Sequence, residues 1–185
     1  MNRKRTFWMI CGIILIIICM VLGLYFMVSK NHQEEPATEE ETGERVQAID
    51  VSLLNYDEEP VRLSDYIGKP IILNFWATWC PNCVHEFPSF EQLHAEYGDK
   101  VQFMMIDIVD GQEETVEIAK QFIEENNFHF PVFFDTQLEA ATVYQANAIP
   151  LTYLIDKDGY VVAYGRGATD YDTLKNAIEK YLISE

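Results

Sequence analysis

Basic residues are scarce in this chain. Its 185 residues hold 13 Lys and Arg against 30 Asp and Glu, a formal charge of −17. All 30 acids follow residue 33, while four of the 13 bases precede residue 31. A surface this acidic repels phosphate backbones and excludes nucleic acid as a partner. Its ordinary use is solubility. Cysteine is also scarce, with four residues at Cys11, Cys19, Cys80 and Cys83. No internal repeat is present. What the chain has is core material: 49% hydrophobic and 13% aromatic residues. Once the N-terminal segments are set aside, about 140 residues remain, enough for one domain of ordinary size.

The N-terminus divides by composition. Residues 1–6 carry Arg3, Lys4 and Arg5, and residues 7–28 form a run of 22 without a charge. At about 1.5 Å per residue, a helix of that length crosses the roughly 30 Å hydrocarbon layer. The preceding bases place the N-terminus in the cytoplasm and the rest of the chain outside. The competing reading is a cleaved signal peptide, whose apolar region usually runs about 7–15 residues before a small-x-small site. This run is longer, and Tyr25-Phe26-Met27-Val28-Ser29 is a poor cleavage site, so an uncleaved single-pass anchor is expected. Cys11 and Cys19 lie within it as small apolar residues; Ile16-Ile17-Ile18-Cys19 lacks the small residue that precedes a lipid-modified cysteine. Residues 29–45 are Glu-rich with Pro36 and no apolar periodicity, an extended, self-repelling tether.

From residue 46 onward the pattern is that of an α/β domain. Ile49, Val51 and Leu53 alternate with polar residues as in a half-buried strand, and residues 61–63 return after a turn. Residues 64–70 read as a turn or short helix. Residues 71–76, Ile-Ile-Leu-Asn-Phe-Trp, form an apolar run of β-formers, the mark of a strand buried on both faces. A helix is predicted over 81–97, ending at Gly98, with a kink or broken turn at Pro88. A strand over 101–108 follows. An amphipathic helix opens at Gly111 and ends near Asn126-Asn127. Then come a strand at 130–134, a short helix at 136–145 and a strand at 151–155. A tight turn at Asp158-Gly159 leads to a strand at 160–164, and a helix over 170–182 closes the domain. This order implies a mixed sheet with helices on both faces.

The chemistry concentrates at Trp79-Cys80-Pro81-Asn82-Cys83. Two cysteines two residues apart at a helix start can close a small disulfide and reopen it. The leading thiol meets free backbone N–H groups and the positive end of the helix dipole, which favour the thiolate. Pro81 fits the first helical position, where no hydrogen bond is lost. Cys80 is therefore expected to be the exposed attacking thiol and Cys83 the more buried, resolving one. Zinc sites also use Cys-x-x-Cys, but a buried strand before the motif and a helix after it make the redox reading the stronger. Glu86 lies three residues after Cys83 and shares its helix face; it is either a solvated helix charge or a carboxylate held near the thiol. Trp76 is expected in the core. His85 reads as an inert surface residue, and nothing in the sequence pairs His94 or His129.

The run 74–83 and the later Ala148-Ile149-Pro150-Leu151-Thr152 resemble the thioredoxin superfamily over about residues 46–183. Within it, Leu63-Ser64-Asp65-Tyr66, the Asn-Phe-Trp-Ala-Thr-Trp-Cys run and Glu86-Phe87-Pro88 resemble the TlpA/ResA-like group of membrane-anchored, extracytoplasmic thiol-disulfide oxidoreductases. The resemblance implies a thioredoxin-like fold with extra N-terminal strands and a central strand–helix insert, for which residues 106–130 leave room. It implies that Cys80 attacks and Cys83 resolves through a Cys80–Cys83 disulfide, and that Ile149-Pro150 is the cis-proline loop beside it. It makes Trp79, Pro81, Ile149 and Pro150 the substrate-contacting residues. It assigns Glu86 the proton-accepting role; the buried Asp that thioredoxin carries at the Asn74 position is missing here. No cofactor, no metal and a monomeric state are expected. The implied partners are disulfide-bearing extracytoplasmic proteins, such as apocytochrome c or spore-envelope proteins, and a membrane-embedded electron donor.

Three other functions were weighed. The Pro-Asn pair between the cysteines differs from thioredoxin's Gly-Pro and from the Glu-Pro of some ResA-like proteins, which leaves a disulfide-donating oxidant open within the same class. A copper or zinc carrier using Cys80, Cys83 and a histidine belongs to a different class; thioredoxin relatives that carry copper typically space their cysteines by three. A peroxidase needs Pro-x-x-x-Thr-x-x-Cys, whereas Thr78 stands two residues before Cys80 and that proline is absent.

Overall fold

The computed structural model describes residues 45–183 and, apart from these, Met20. The basic N-terminus (1–6), the anchor (7–28) and the tether (29–45) lie outside the described residues except at Met20 and Arg45. Among the described residues, no helix is long and apolar enough to cross a membrane.

The central strand forms where the apolar run stands. β4 (Ile71–Trp76) is buried at all six positions. It pairs in parallel with β5 (Gln102–Ile108), which pairs in parallel with β6 (Val132–Asp135). On its other side β4 runs antiparallel to β7 (Leu151–Ile155), which forms a hairpin with β8 (Tyr160–Arg166). Gly159, at φ 87°, supplies the left-handed turn residue of that hairpin. The edges are β1 (Val46–Gln47) beside β8, and β2 (Ser52–Leu54) with β3 (Pro60–Arg62) beside β6. The sheet is mixed, in the order β1-β8-β7-β4-β5-β6-β2-β3.

Alternation along the strands divides the core. Ile72 and Trp76 of β4, with Phe103 and Met105 of β5, face α1 (Pro81–Tyr97), α2 (Val116–Glu125) and α4 (Tyr171–Tyr181). Ile71, Leu73 and Phe75 face the other way, toward the 3-10 turn at Leu63–Tyr66, α3 (Glu139–Val143) and Tyr144. Helices therefore cover both faces, as the element order implied.

Several boundaries differ from the sequence reading. α2 begins at Val116 rather than Gly111, because Asp110 Oδ1 accepts the N–H groups of Gln112, Glu113 and Glu114 and holds that stretch in a turn. Thr115 then caps the helix through Ile118 N–H. Residues 106–130, where a strand–helix insert was expected, contain the end of β5 and all of α2; the next strand, β6, lies beyond them. α1 runs unbroken through Pro88, which is exposed and removes only one intrahelical donor, so the expected broken turn is absent. Gly98 ends α1 at φ −56°, not in a left-handed conformation. Its glycine is required by space: a Cβ there would stand 2.6 Å from the His94 carbonyl oxygen.

Candidate active site

The motif begins where β4 ends. Cys80 caps α1 in extended backbone, its sulfur accepting the Cys83 N–H at 3.2 Å. Pro81 takes the first helical position and is exposed. Cys80 and Cys83 form a disulfide across this first turn. Cys83 is fully buried, as expected, but Cys80 is only 4% exposed and is not the open thiol the sequence implied. The disulfide turns its sulfur inward against Cys83. Trp79, just before Cys80, is exposed, at 56%. Trp76 lies in the core, edge-on to Phe87 at 4.9 Å.

Glu86 is the buried acid of the site. It is 1% exposed, on the helix face that carries Cys83. The Asn74 amide nitrogen donates to its Oε1 at 2.9 Å, and the Thr169 N–H donates to Oε2 at 3.1 Å. The same Asn74 nitrogen donates to Thr152 Oγ1 at 3.0 Å. Asn74 and Thr152 meet because they are paired across β4 and β7. Burial outweighs the two hydrogen bonds and pushes the Glu86 carboxyl up to about 7. Near neutral pH such a group can both accept and release a proton. A groove of about 360 Å³ between β8 and α4 is lined by Thr152 and Thr169, among others, and so reaches this network.

Pro150 enters the same end of the sheet. The Ile149-Pro150 bond is cis, as the resemblance implied. The β4–β7 register pairs Phe75 with Leu151, so Pro150 falls beside the end of β4, next to the motif. Pro150 is buried, with its carbonyl accepting the Gly167 N–H at 2.8 Å, and Ile149 is half-buried.

His85, His94 and His129 stand apart from this network. His85 is exposed on α1. His94 lies edge-on to Phe103 at 5.3 Å, with its pKa lowered by burial. His129 Nδ1 contacts Glu91 Oε1 at 2.8 Å, a pairing 38 residues apart that no local pattern could reveal. Among the described residues, no group of three or more His, Cys, Asp or Glu could hold a metal ion.

Among the described residues, three buried acids escaped the sequence reading: Glu114, Asp107 and Asp135. Glu114 Oε2 accepts both the N–H of Thr78, at 2.9 Å, and its hydroxyl, at 2.7 Å. Asp107, one residue before the end of β5, pairs with Trp76 and is fully buried. The usable signal for Glu114 was the Asp110-Gly111 turn followed by a threonine cap, which lifts the acid off the helix surface.

Comparison with known proteins agrees with this geometry. The sequence profile of the AhpC/TSA family matches residues 45–164. The thiol-disulfide oxidoreductase ResA of Bacillus thuringiensis subsp. konkukian is 30% identical over 183 residues, 98% of this chain and 97% of that one. ResA of Oceanobacillus iheyensis is 39% identical over 119 residues, covering 64% of this chain and 60% of the relative. Among solved structures, the pneumococcal exposed lipoprotein thioredoxin Etrx1 superposes with a TM-score of 0.63 at 27% identity, over 71% of this chain and 99% of that one. The fold and site define a thioredoxin-like thiol-disulfide oxidoreductase. The chain belongs to the AhpC/TSA family and is similar to its ResA-type oxidoreductases over nearly its whole length.

Proposed function

We propose that this protein is anchored by residues 7–28 and works outside the cytoplasmic membrane, reducing disulfides of specific partner proteins such as apocytochrome c. Cys80 thiolate attacks one sulfur of the partner disulfide. A Cys80–partner bond forms, the partner's own S–S bond breaks, and the released thiolate takes a proton from solvent. Cys83 then gives its proton to Glu86 and attacks the Cys80 sulfur. The Cys80–Cys83 disulfide forms, and the second partner sulfur leaves as a thiolate, which takes back the proton held by Glu86. Two electrons pass from the cysteine pair to the partner, and a membrane-embedded donor restores them. Trp79, Pro81, Ile149 and Pro150 form the surface on which the partner lies.

The observation that carries this reading is Glu86: a carboxyl buried on the Cys83 face of α1 and raised to about 7. The end-to-end likeness to ResA of B. thuringiensis supports the anchor and tether, since it spans 98% of the chain. The second reading, a disulfide donor in extracytoplasmic folding, differs only in direction. The midpoint potential of Cys80–Cys83 in the full chain, from thiol trapping across a dithiothreitol series, separates the two. The reductant reading predicts a value near thioredoxin's, about −270 mV; one near DsbA's, about −120 mV, replaces it with the oxidant reading. Absence of any reversible disulfide would defeat both.

A further inference from the structure

The segment between β4 and Cys80 is held from behind by an acid with no part in thiol exchange. Glu114 is fully buried, and its Oε2 takes both the N–H and the hydroxyl of Thr78. Burial pushes the Glu114 carboxyl up, while the bonds from Thr78 and from the Trp79 backbone N–H, which adds to this hold, work against that rise. Glu114 is in turn fixed by Asp110, which accepts its N–H at 2.9 Å, and by its own carbonyl, which accepts the Gly111 N–H at 3.0 Å. A two-sided clamp therefore joins the 110–114 turn to the Thr78-Trp79 peptide.

Three oxygen atoms there lack a donor: Oδ1 and Oδ2 of Asp107, and Oε1 of Glu114. Asp107 is fully buried, and a carboxylate with no donor is untenable in such a place. Asp107 lies within range of the Glu114 charge, which disfavours ionising both carboxyls. One proton resolves the arrangement. Held on Asp107, it removes the second charge. Burial and the Glu114 charge both push Asp107 the same way, up to about 9.

We infer that Glu114 is a positioning residue for partner docking: it fixes the Thr78-Trp79 peptide and so sets where the exposed Trp79 indole meets a protein substrate. This rests on the reading of Trp79 as a partner contact. Glu114 does not touch the reacting sulfurs, so a small disulfide that needs no docking surface is indifferent to it.

The test uses the reduced full chain and two probes. Oxidised glutathione is the small disulfide, and unfolded, disulfide-intact ribonuclease A is the protein disulfide. Second-order rates are measured for the native chain, Trp79→Ala, Glu114→Gln and Thr78→Val, with circular dichroism as the check on folding. All three variants should slow the protein reaction roughly tenfold, a loss of about 1.4 kcal/mol of contact energy, and Glu114→Gln and Thr78→Val should leave the glutathione rate unchanged. Thr78→Val keeps Glu114 and loses only the hydroxyl half of the clamp, so it decides the matter if Glu114→Gln fails to fold. If Trp79→Ala slows the protein reaction while Glu114→Gln and Thr78→Val do not, the positioning role is overturned. If Trp79→Ala itself has no effect, the docking surface is wrong and the inference falls with it. Equal slowing of both probes would place Glu114 in thiol reactivity and overturn a docking role. Independently, Asp107→Asn should remove part of the protonated-carboxyl infrared absorption at about pH 8; a spectrum unchanged by Asp107→Asn contradicts a protonated Asp107.

Discussion

The Asn74 amide nitrogen stands 2.9 Å from Glu86 Oε1, joining the middle of β4 to the first turns of α1. The strand position carries a neutral amide, and the acid comes from the helix instead. One side chain thereby orients the proton acceptor and ties it to Thr152 on β7.

Replacing Asn74 by Ala removes one of the two hydrogen bonds that favour ionised Glu86. The Glu86 carboxyl should rise further above 7, and the pH dependence of thiol exchange should move to higher pH. Stability should fall by about 1–3 kcal/mol, the cost of leaving a buried acceptor unpaired. Rate profiles against pH and urea titrations check the two parts separately.

Burial raises both Glu86 and Asp107, so between their unfolded and native pKa values the native chain binds more protons than the unfolded one. Stability contributed by these groups therefore declines as pH rises. The window runs from 3.8 to about 9 for Asp107 and from 4.5 to about 7 for Glu86. Asp107→Asn removes the Asp107 share. Its advantage in urea midpoint over the native chain should be larger at about pH 8 than at about pH 5. An equal difference at both pH values would mean that Asp107 is not raised.

Phe87 is fully buried and meets Trp76, Phe122, Phe128 and Phe130 edge-on. It follows Glu86 directly and anchors that stretch of α1 to the sheet and to α2. Phe87→Ala should cost about 3–5 kcal/mol in urea unfolding. A loss below 1 kcal/mol, about the size of a surface change, would mean that this cluster does not hold α1 in place.

Local chemistry made much of the site legible. The apolar run 71–76, the Cys-x-x-Cys after it and the three-residue step from Cys83 to Glu86 are short-range patterns, and each leads to what the structure contains. What stayed hidden depends on distant partners. Thr169 donates to Glu86 from 83 positions away, and His129 pairs with Glu91 on another element. Glu114 looked like one more acid in a charged helix start, because its burial depends on the turn that Asp110 builds. The low exposure of Cys80 also follows from the closed disulfide rather than from the residue's place at the helix start. The start of α2 moved for a similar reason: the hydrogen bonds to Asp110, not apolar periodicity, decide where it begins.

The most direct test of the proton role is the resolution step itself. Cys80 is loaded with glutathione in the full chain, and the rate at which Cys83 displaces it is followed against pH for the native protein and Glu86→Gln. The native rate should show an inflection near 7, and Glu86→Gln should lose that inflection and slow resolution roughly a hundredfold, the scale of general-base help. A Glu86→Gln profile with the native rate and the native inflection would contradict the account.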